Sequence, residues 1–155
     1  MATEIERKYL TVNDDWRENA DARIRIIQAY MTSNDKSSIR IRIQGEQANL
    51  NIKSKTLGIE RSEYEYAIPL TEAKEMLENL CDRPFIEKTR YHVIHSNNEW
   101  EIDVFAGDNE GLIVAELELN SADEAFALPD WTGKEVSDDP RYYNICLVTH
   151  PYKNW

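Results

Sequence analysis

The chain has 155 residues, of which 41% are hydrophobic and 30% charged, and its net charge is −11. This size and balance fit one globular domain, residues 1–155, with a fair-sized core. So acidic a domain is not expected to bind nucleic acid or an anionic membrane through its overall field, whereas divalent cations suit it. Two cysteines, Cys81 and Cys146, without metal-type spacing argue against a disulfide framework or a structural zinc site. No basic-then-apolar leader opens the sequence, and no apolar run approaches the roughly 20 residues that span a bilayer, so a cytoplasmic protein without a membrane partner is expected.

Period-two alternation dominates the chain and predicts strands. In order these are Glu4–Tyr9, the β-branched and aromatic run Arg23–Tyr30, Ile39–Ile43, Leu50–Lys53 after the turn at Gly45, and Glu63–Ile68. A helix follows over Thr71–Cys81, where Ala73, Met76, Leu77 and Leu80 recur at helical spacing behind Thr71 as N-cap. Strands resume at Phe85–Ile94, Trp100–Val104 and Ala115–Leu119. Ser121–Ala127 carries a capping-box pattern through Ser121 and Glu124, and Arg141–Val148 is a third helical candidate, with Ser137–Pro140 as the turn before it. About eight consecutive strands with few helices predict a mainly β (α+β) fold, an antiparallel sheet closed into a barrel or strongly curled.

One wet face on each strand would account for alternation alone. It does not account for the sorting of charge by strand. Arg40 with Arg42, Lys53 with Lys55, and Lys88 with Arg90 are purely basic faces; Glu63 with Glu65, Glu101 with Asp103, and Glu116 with Glu118 are purely acidic. Like charges two residues apart on an open surface repel and gain little. They make sense lining an enclosed space, where bases hold an anion and acids hold cations. Arg and Lys suit phosphate oxygens, and carboxylates approach a polyphosphate through hard cations such as Mg²⁺ or Mn²⁺. His92 shares the parity of Lys88 and Arg90 but reads as a strand-end residue. Tyr64, Tyr66 and Trp100 lie on the opposite parity and are expected to pack under helices.

Glu4-Ile5-Glu6-Arg7-Lys8 resembles the ExExK signature of the CYTH superfamily, the triphosphate tunnel metalloenzymes. The likeness continues through Gln28-Ala29-Tyr30, Arg40-Ile41-Arg42, Lys53, Glu63-Tyr64-Glu65, Glu87 to Tyr91, Glu101 to Phe105 and Glu116-Leu117-Glu118. It implies an eight-stranded antiparallel barrel forming a tunnel, with Lys8, Arg40, Arg42, Lys53, Lys88 and Arg90 binding a triphosphate. Divalent metal, Mg²⁺ or Mn²⁺, would fall to Glu4, Glu6, Glu116 and Glu118, with Asp103 as a further candidate. Glu63, Glu65 and Lys88 would serve the attacking water and the transferring phosphoryl group. The implied reaction is hydrolysis of a triphosphate, inorganic triphosphate first, by a monomer or homodimer. The alternatives are thiamine or nucleoside triphosphate hydrolysis, cyclisation of ATP, and a non-catalytic polyphosphate binder. The resemblance also implies that the C-terminal helix covers one end of the barrel, and Tyr30 is expected to point inward.

Overall fold

The computed structural model describes residues 3–155. Nine strands appear, β1 (Thr3–Thr11), β2 (Ala20–Ser33), β3 (Ser37–Gln44), β4 (Gln47–Ser54), β5 (Glu60–Ile68), β6 (Ile86–His95), β7 (Asn98–Phe105), β8 (Ile113–Glu118) and β9 (Thr132–Glu135). Two helices accompany them, α1 (Leu70–Leu80) and α2 (Asn144–Thr149). The sheet order β5-β4-β3-β2-β6-β7-β8-β1 closes through a β5–β1 pairing, and every pairing in this ring is antiparallel. The predicted eight-stranded barrel is therefore the observed one.

The ninth strand explains how the ring meets the C-terminal segment. One edge of β1 pairs with β5 only over Thr3–Ile5, and then with β9 at Tyr9 and Thr11. Between them, the Lys8 N–H donates to the Ser137 hydroxyl at 2.9 Å. The barrel thus splits between β1 and β5 at one end, and the chain after β9 fills the gap.

Helix α1 starts one residue before the expected boundary, with Pro69 rather than Thr71 at its cap. Pro69 is extended and its carbonyl accepts the Ala73 N–H at 3.0 Å. The helix buries Ala73 and Leu77 against Ala29, Ile41 and Ala48. It covers β2, β3 and β4 and leaves β5 bare, so Tyr64 and Tyr66 are exposed, not packed under a helix as expected. Ser121–Ala127 is not helical. Glu124 does reach back to the Asn120 N–H at 2.7 Å, but the turn stops before Pro129. Phe126 instead joins an edge-on cluster with Tyr9 and Trp100, which Trp131 extends. The third helical candidate divides into a single 3-10 turn at Pro140–Tyr142 and α2. Asp139 caps the turn by accepting the Arg141 N–H, as the Ser137–Pro140 signal suggested.

Trp100 is fully buried at the centre of that aromatic cluster. Trp100→Ala is expected to destabilise the fold by about 3–5 kcal/mol, measured by urea unfolding. A loss below 1 kcal/mol would mean that the cluster is not the core that closes this side of the barrel.

Candidate active-site tunnel

The barrel encloses a cavity of about 200 Å³ lined almost entirely by charged and polar groups. Alternation aims one face of each strand inward, so parity selects the lining: Glu4, Glu6 and Lys8 from β1, Arg40 and Arg42 from β3, and Lys53 from β4. From the remaining strands come Arg61, Glu63 and Glu65, then Lys88 and Arg90, Glu101, and Glu116 with Glu118. Tyr30 lines it as expected. Glu65 and Glu118 are exposed at one end, which is therefore acidic. Tyr143, Asn144 and Ile145 close the other end, where the resemblance put a covering helix.

Most of the bases are matched by acids. Lys8 lies 3.2 Å from Glu116 and 3.7 Å from Glu6. Lys53 bridges Glu4 at 3.1 Å and Glu63 at 3.2 Å. Arg90 engages Asp103 at 2.8 Å, Glu101 at 3.1 Å and Glu116 at 3.3 Å. Lys88 meets Asp103 at 2.7 Å, with both groups out of contact with solvent. Asp103, a metal candidate from sequence, accepts from both Lys88 and Arg90 and does not line the cavity. Its oxygens are committed to positioning these two bases.

Both bases of β3 stand apart from these ion pairs, as does Arg61 of β5, whose guanidinium lies over the Tyr143 ring. Arg40 is 5% exposed and has no ion pair or hydrogen bond among the described residues, and its Nε is buried without a partner. The carbonyl oxygen of Asn51, opposite it on β4, is also unpartnered. Arg42 has only the neutral Gln28, whose Oε1 accepts its Nε–H at 2.8 Å. The β3 wall is thus a cationic surface with no carboxylate in direct ion pairing among the described residues, although Asp103 and Glu116 act on Arg42 from further off.

Titration behaviour follows this layout. Burial would raise the Glu116 carboxyl, but Lys8, Arg90 and Lys88 overcome it and hold it well below the usual range. Glu6, crowded by the same burial and by the Glu116 charge, is pushed up to about 8 and hydrogen-bonds Glu116 in its protonated form. Glu4 is held low because Lys53 and Arg61 outweigh its burial. Burial also raises Glu118, where Glu4 adds repulsion, and Glu101, against the pull of Arg90. On the basic side, burial lowers Lys88 to about 7 despite Asp103, with Arg90 and Arg42 adding to the fall. Arg42 is lowered to about 9 by burial and by Arg40 and Arg90, and it stays protonated at neutral pH.

Among the described residues, no three carboxylate, imidazole or thiolate groups converge at metal-holding distance. The donor set nevertheless fits a hard divalent cation. Glu4, Glu6, Glu116 and Glu118 face one cavity, and the Glu116 charge that pushes Glu6 up marks a place where added positive charge is favourable.

Sequence reasoning did not single out several lining residues. Arg61 has the parity of Glu63 and Glu65, and extending the β5 alternation two residues back would have found it. Glu101 belongs to an acidic face in the sequence, but the family resemblance does not put it among the expected site residues. Tyr143 and Asn144 arrive by tertiary contact and carry no periodic signal. Lys55, predicted as a second base beside Lys53, lies beyond the end of β4, exposed, with its Nζ 3.2 Å from the Ser33 hydroxyl. His92 does not line the cavity and bonds Glu99 at 2.6 Å.

A closed antiparallel barrel whose interior carries matched acids and bases on one side and uncompensated arginines on the other defines a charged tunnel protein. The chain belongs to the CYTH domain family, whose model matches residues 2–143. It is 43% identical to an inorganic triphosphatase of Acetivibrio thermocellus over 155 residues, covering 100% of this chain and 99% of that protein. An inorganic triphosphatase of Nitrosomonas europaea is 38% identical over 150 residues, covering 94% of this chain and 97% of the other. A crystal structure of an inorganic triphosphatase superposes with a TM-score of 0.68 at 35% identity, over 96% of this chain and 95% of that one.

Proposed function

We propose that this protein is a divalent-metal-dependent triphosphatase that hydrolyses inorganic triphosphate to pyrophosphate and phosphate inside the barrel. The observation that carries the reading is the pair of arginines on β3, Arg40 buried and Arg42 half-buried, that have no carboxylate ion pair among the described residues. A buried, uncompensated guanidinium is costly unless a ligand supplies the counter-charge. Full-length relatives named inorganic triphosphatases support that choice of anion.

In this reading Arg40 and Arg42 hold the phosphate chain from the β3 side, and Lys8, Lys53, Lys88 and Arg90 complete the cradle. Glu4, Glu6, Glu116 and Glu118 would hold Mg²⁺ or Mn²⁺, which supplies charge neutralisation of the phosphates and activation of water. Asp103 acts one step back, fixing Lys88 and Arg90. Glu63, bridged to Lys53, and Glu65, held at 2.7 Å by the Asn51 amide, are oriented to accept a proton from the attacking water. Lys88 gains from an incoming anion, which opposes the lowering by burial and holds the ammonium charged at the phosphoryl group.

Phosphate release from inorganic triphosphate should require Mg²⁺ or Mn²⁺ and stop on addition of a chelator. It should exceed release from ATP, thiamine triphosphate and pyrophosphate assayed in parallel. Undiminished turnover in the presence of chelator would overturn the metal role, and a preference for ATP would overturn the substrate.

A further inference from the structure

The closed end of the tunnel contains one polar chain that ties the C-terminal segment to the two basic walls. The Lys88 ammonium donates to Asn144 Oδ1 at 2.9 Å. Gln28 Nε2 donates to the same oxygen at 2.9 Å. Gln28 Oε1 accepts from Arg42 Nε at 2.8 Å. Only one orientation of the two amides satisfies this chain. Lys88 and Arg42 are donors only, so each end must be met by an acceptor. The Asn144 oxygen must then face Lys88, Gln28 must present its NH₂ to that oxygen, and its own carbonyl falls toward Arg42. Gln28 is fully buried, so its amide cannot be replaced by bulk water without loss.

Asn144 is the first residue of α2, a helix anchored by the fully buried Leu147 against Ile86 and Phe105. We infer that Asn144 is a positioning residue for the triphosphatase reaction: its single carbonyl oxygen fixes Lys88 directly and Arg42 through Gln28. The inference rests on the proposed phosphate-binding roles of those two bases. It gives the C-terminal segment a part in assembling the site beyond covering the barrel end. Lys88 sits on β6 and Arg42 on β3, separated around the ring by β2 alone, and Gln28 on β2 links them through Asn144. With the Asn144 oxygen gone, Lys88 keeps Asp103 but loses the contact that sets its direction, and Gln28 is free to turn its amide and release Arg42. A displacement of this order at a phosphoryl-binding group is worth about a hundredfold in rate.

The test compares Asn144→Leu, which keeps the size and removes the acceptor, with Asn144→Asp, which keeps an oxygen facing both donors. Steady-state hydrolysis of inorganic triphosphate with Mg²⁺ should fall about a hundredfold in kcat/KM for N144L, with both kcat and KM affected, because the bases meet the ligand before and during reaction. N144D should retain most of the activity, and thermal melting should confirm that both are folded. A Gln28→Leu change should cost about as much as N144L, and the double variant little more than either, since all three break one chain. Equal kcat/KM in N144L and the parent protein, or strict additivity with Q28L, overturns the inference. Should N144L fail to fold, loss of activity in N144D equal to that of Q28L overturns it as well. A parent protein inactive on triphosphate would instead refute the proposed function. In that case triphosphate-binding affinity, measured by calorimetry on the same variants, still decides the positioning role by whether N144L binds more weakly than the parent and N144D.

Discussion

Arg40→Met should lower kcat/KM for triphosphate by about a hundred- to a thousandfold and at the same time raise the melting temperature of the ligand-free protein. The two effects have one cause. Arg40 is buried on β3 next to Arg42 and makes no ion pair among the described residues. In the empty protein its charge is a desolvation penalty and a source of repulsion, and an apolar side chain of similar reach relieves both. In the liganded protein the same guanidinium meets phosphate oxygens in a water-poor site, where removing one preorganised donor costs about a hundred- to a thousandfold in rate. Inorganic triphosphate should therefore stabilise the parent protein against heat far more than it stabilises R40M, by mass action on the folded state. Scanning calorimetry with and without triphosphate reads the two melting effects, and a phosphate-release assay reads kcat/KM. A melting temperature that falls in R40M would show that Arg40 is satisfied internally, and an unchanged kcat/KM would remove it from the anion site.

The β-strands and their inward faces were readable in the sequence because a two-residue period is a local property. Ile39-Arg40-Ile41-Arg42-Ile43 has no other economical explanation, and the sorting of acids and bases by strand pointed inward for the same physical reason. Some features had no local signature. The placement of β9 depends on β1 leaving β5 after three residues, and neither strand's sequence encodes that split. Asn144 sits in a six-residue helix whose orientation is set by Leu147 packing, not by its own neighbours. The capping-box pattern at Ser121 and Glu124 forms neither a helix nor its own side-chain bonds, since the Glu124 carboxylate accepts from the Asn120 N–H and Phe126 packs edge-on to Tyr9 and Trp100. Tyr64 and Tyr66 have the parity of packed residues, yet α1 crosses three other strands and leaves them in solvent.

Sorting of charge has a further consequence for the order of assembly. The acid side of the tunnel is internally neutralised by Lys8, Lys53 and Arg90, so it folds without a metal at modest cost. The β3 side is not neutralised and waits for the anion. A cation entering at the acidic mouth, where Glu118 and Glu65 are exposed, meets carboxylates before it meets any base. A triphosphate carrying its own divalent cation brings both missing charges at once and matches the two sides together, which is differential stabilisation of the loaded state over the empty one.

Glu6→Gln is expected to abolish the metal response and to remove one contribution to the pH dependence that the parent protein carries. In the metal-free parent, Glu6 is held up to about 8, from 4.5, by burial and by the neighbouring Glu116 charge. Between these values the folded protein binds a proton that the unfolded chain has released, so stability falls as pH rises from about 4.5 to 8 and is level beyond. Glutamine copies the protonated carboxyl, including a donor toward Glu116, and has nothing to titrate. E6Q should therefore match the parent near pH 5 and become progressively more stable than it up to about pH 8. Glu101 and Glu118 add slopes of the same sign in both proteins, and Lys88 adds the opposite slope between about 7 and 10.5, so only the difference between the two proteins reports Glu6. Added Mg²⁺ or Mn²⁺ must displace the Glu6 proton, and the parent should therefore be stabilised by metal more strongly as pH rises, while E6Q should lose this stabilisation and about a hundredfold or more of its activity. Urea titrations at four pH values, with and without metal, measure the difference. Parallel curves for the two proteins would show that Glu6 is ionised in the folded state, and a metal-induced shift that survives in E6Q would move the cation to other carboxylates of the tunnel.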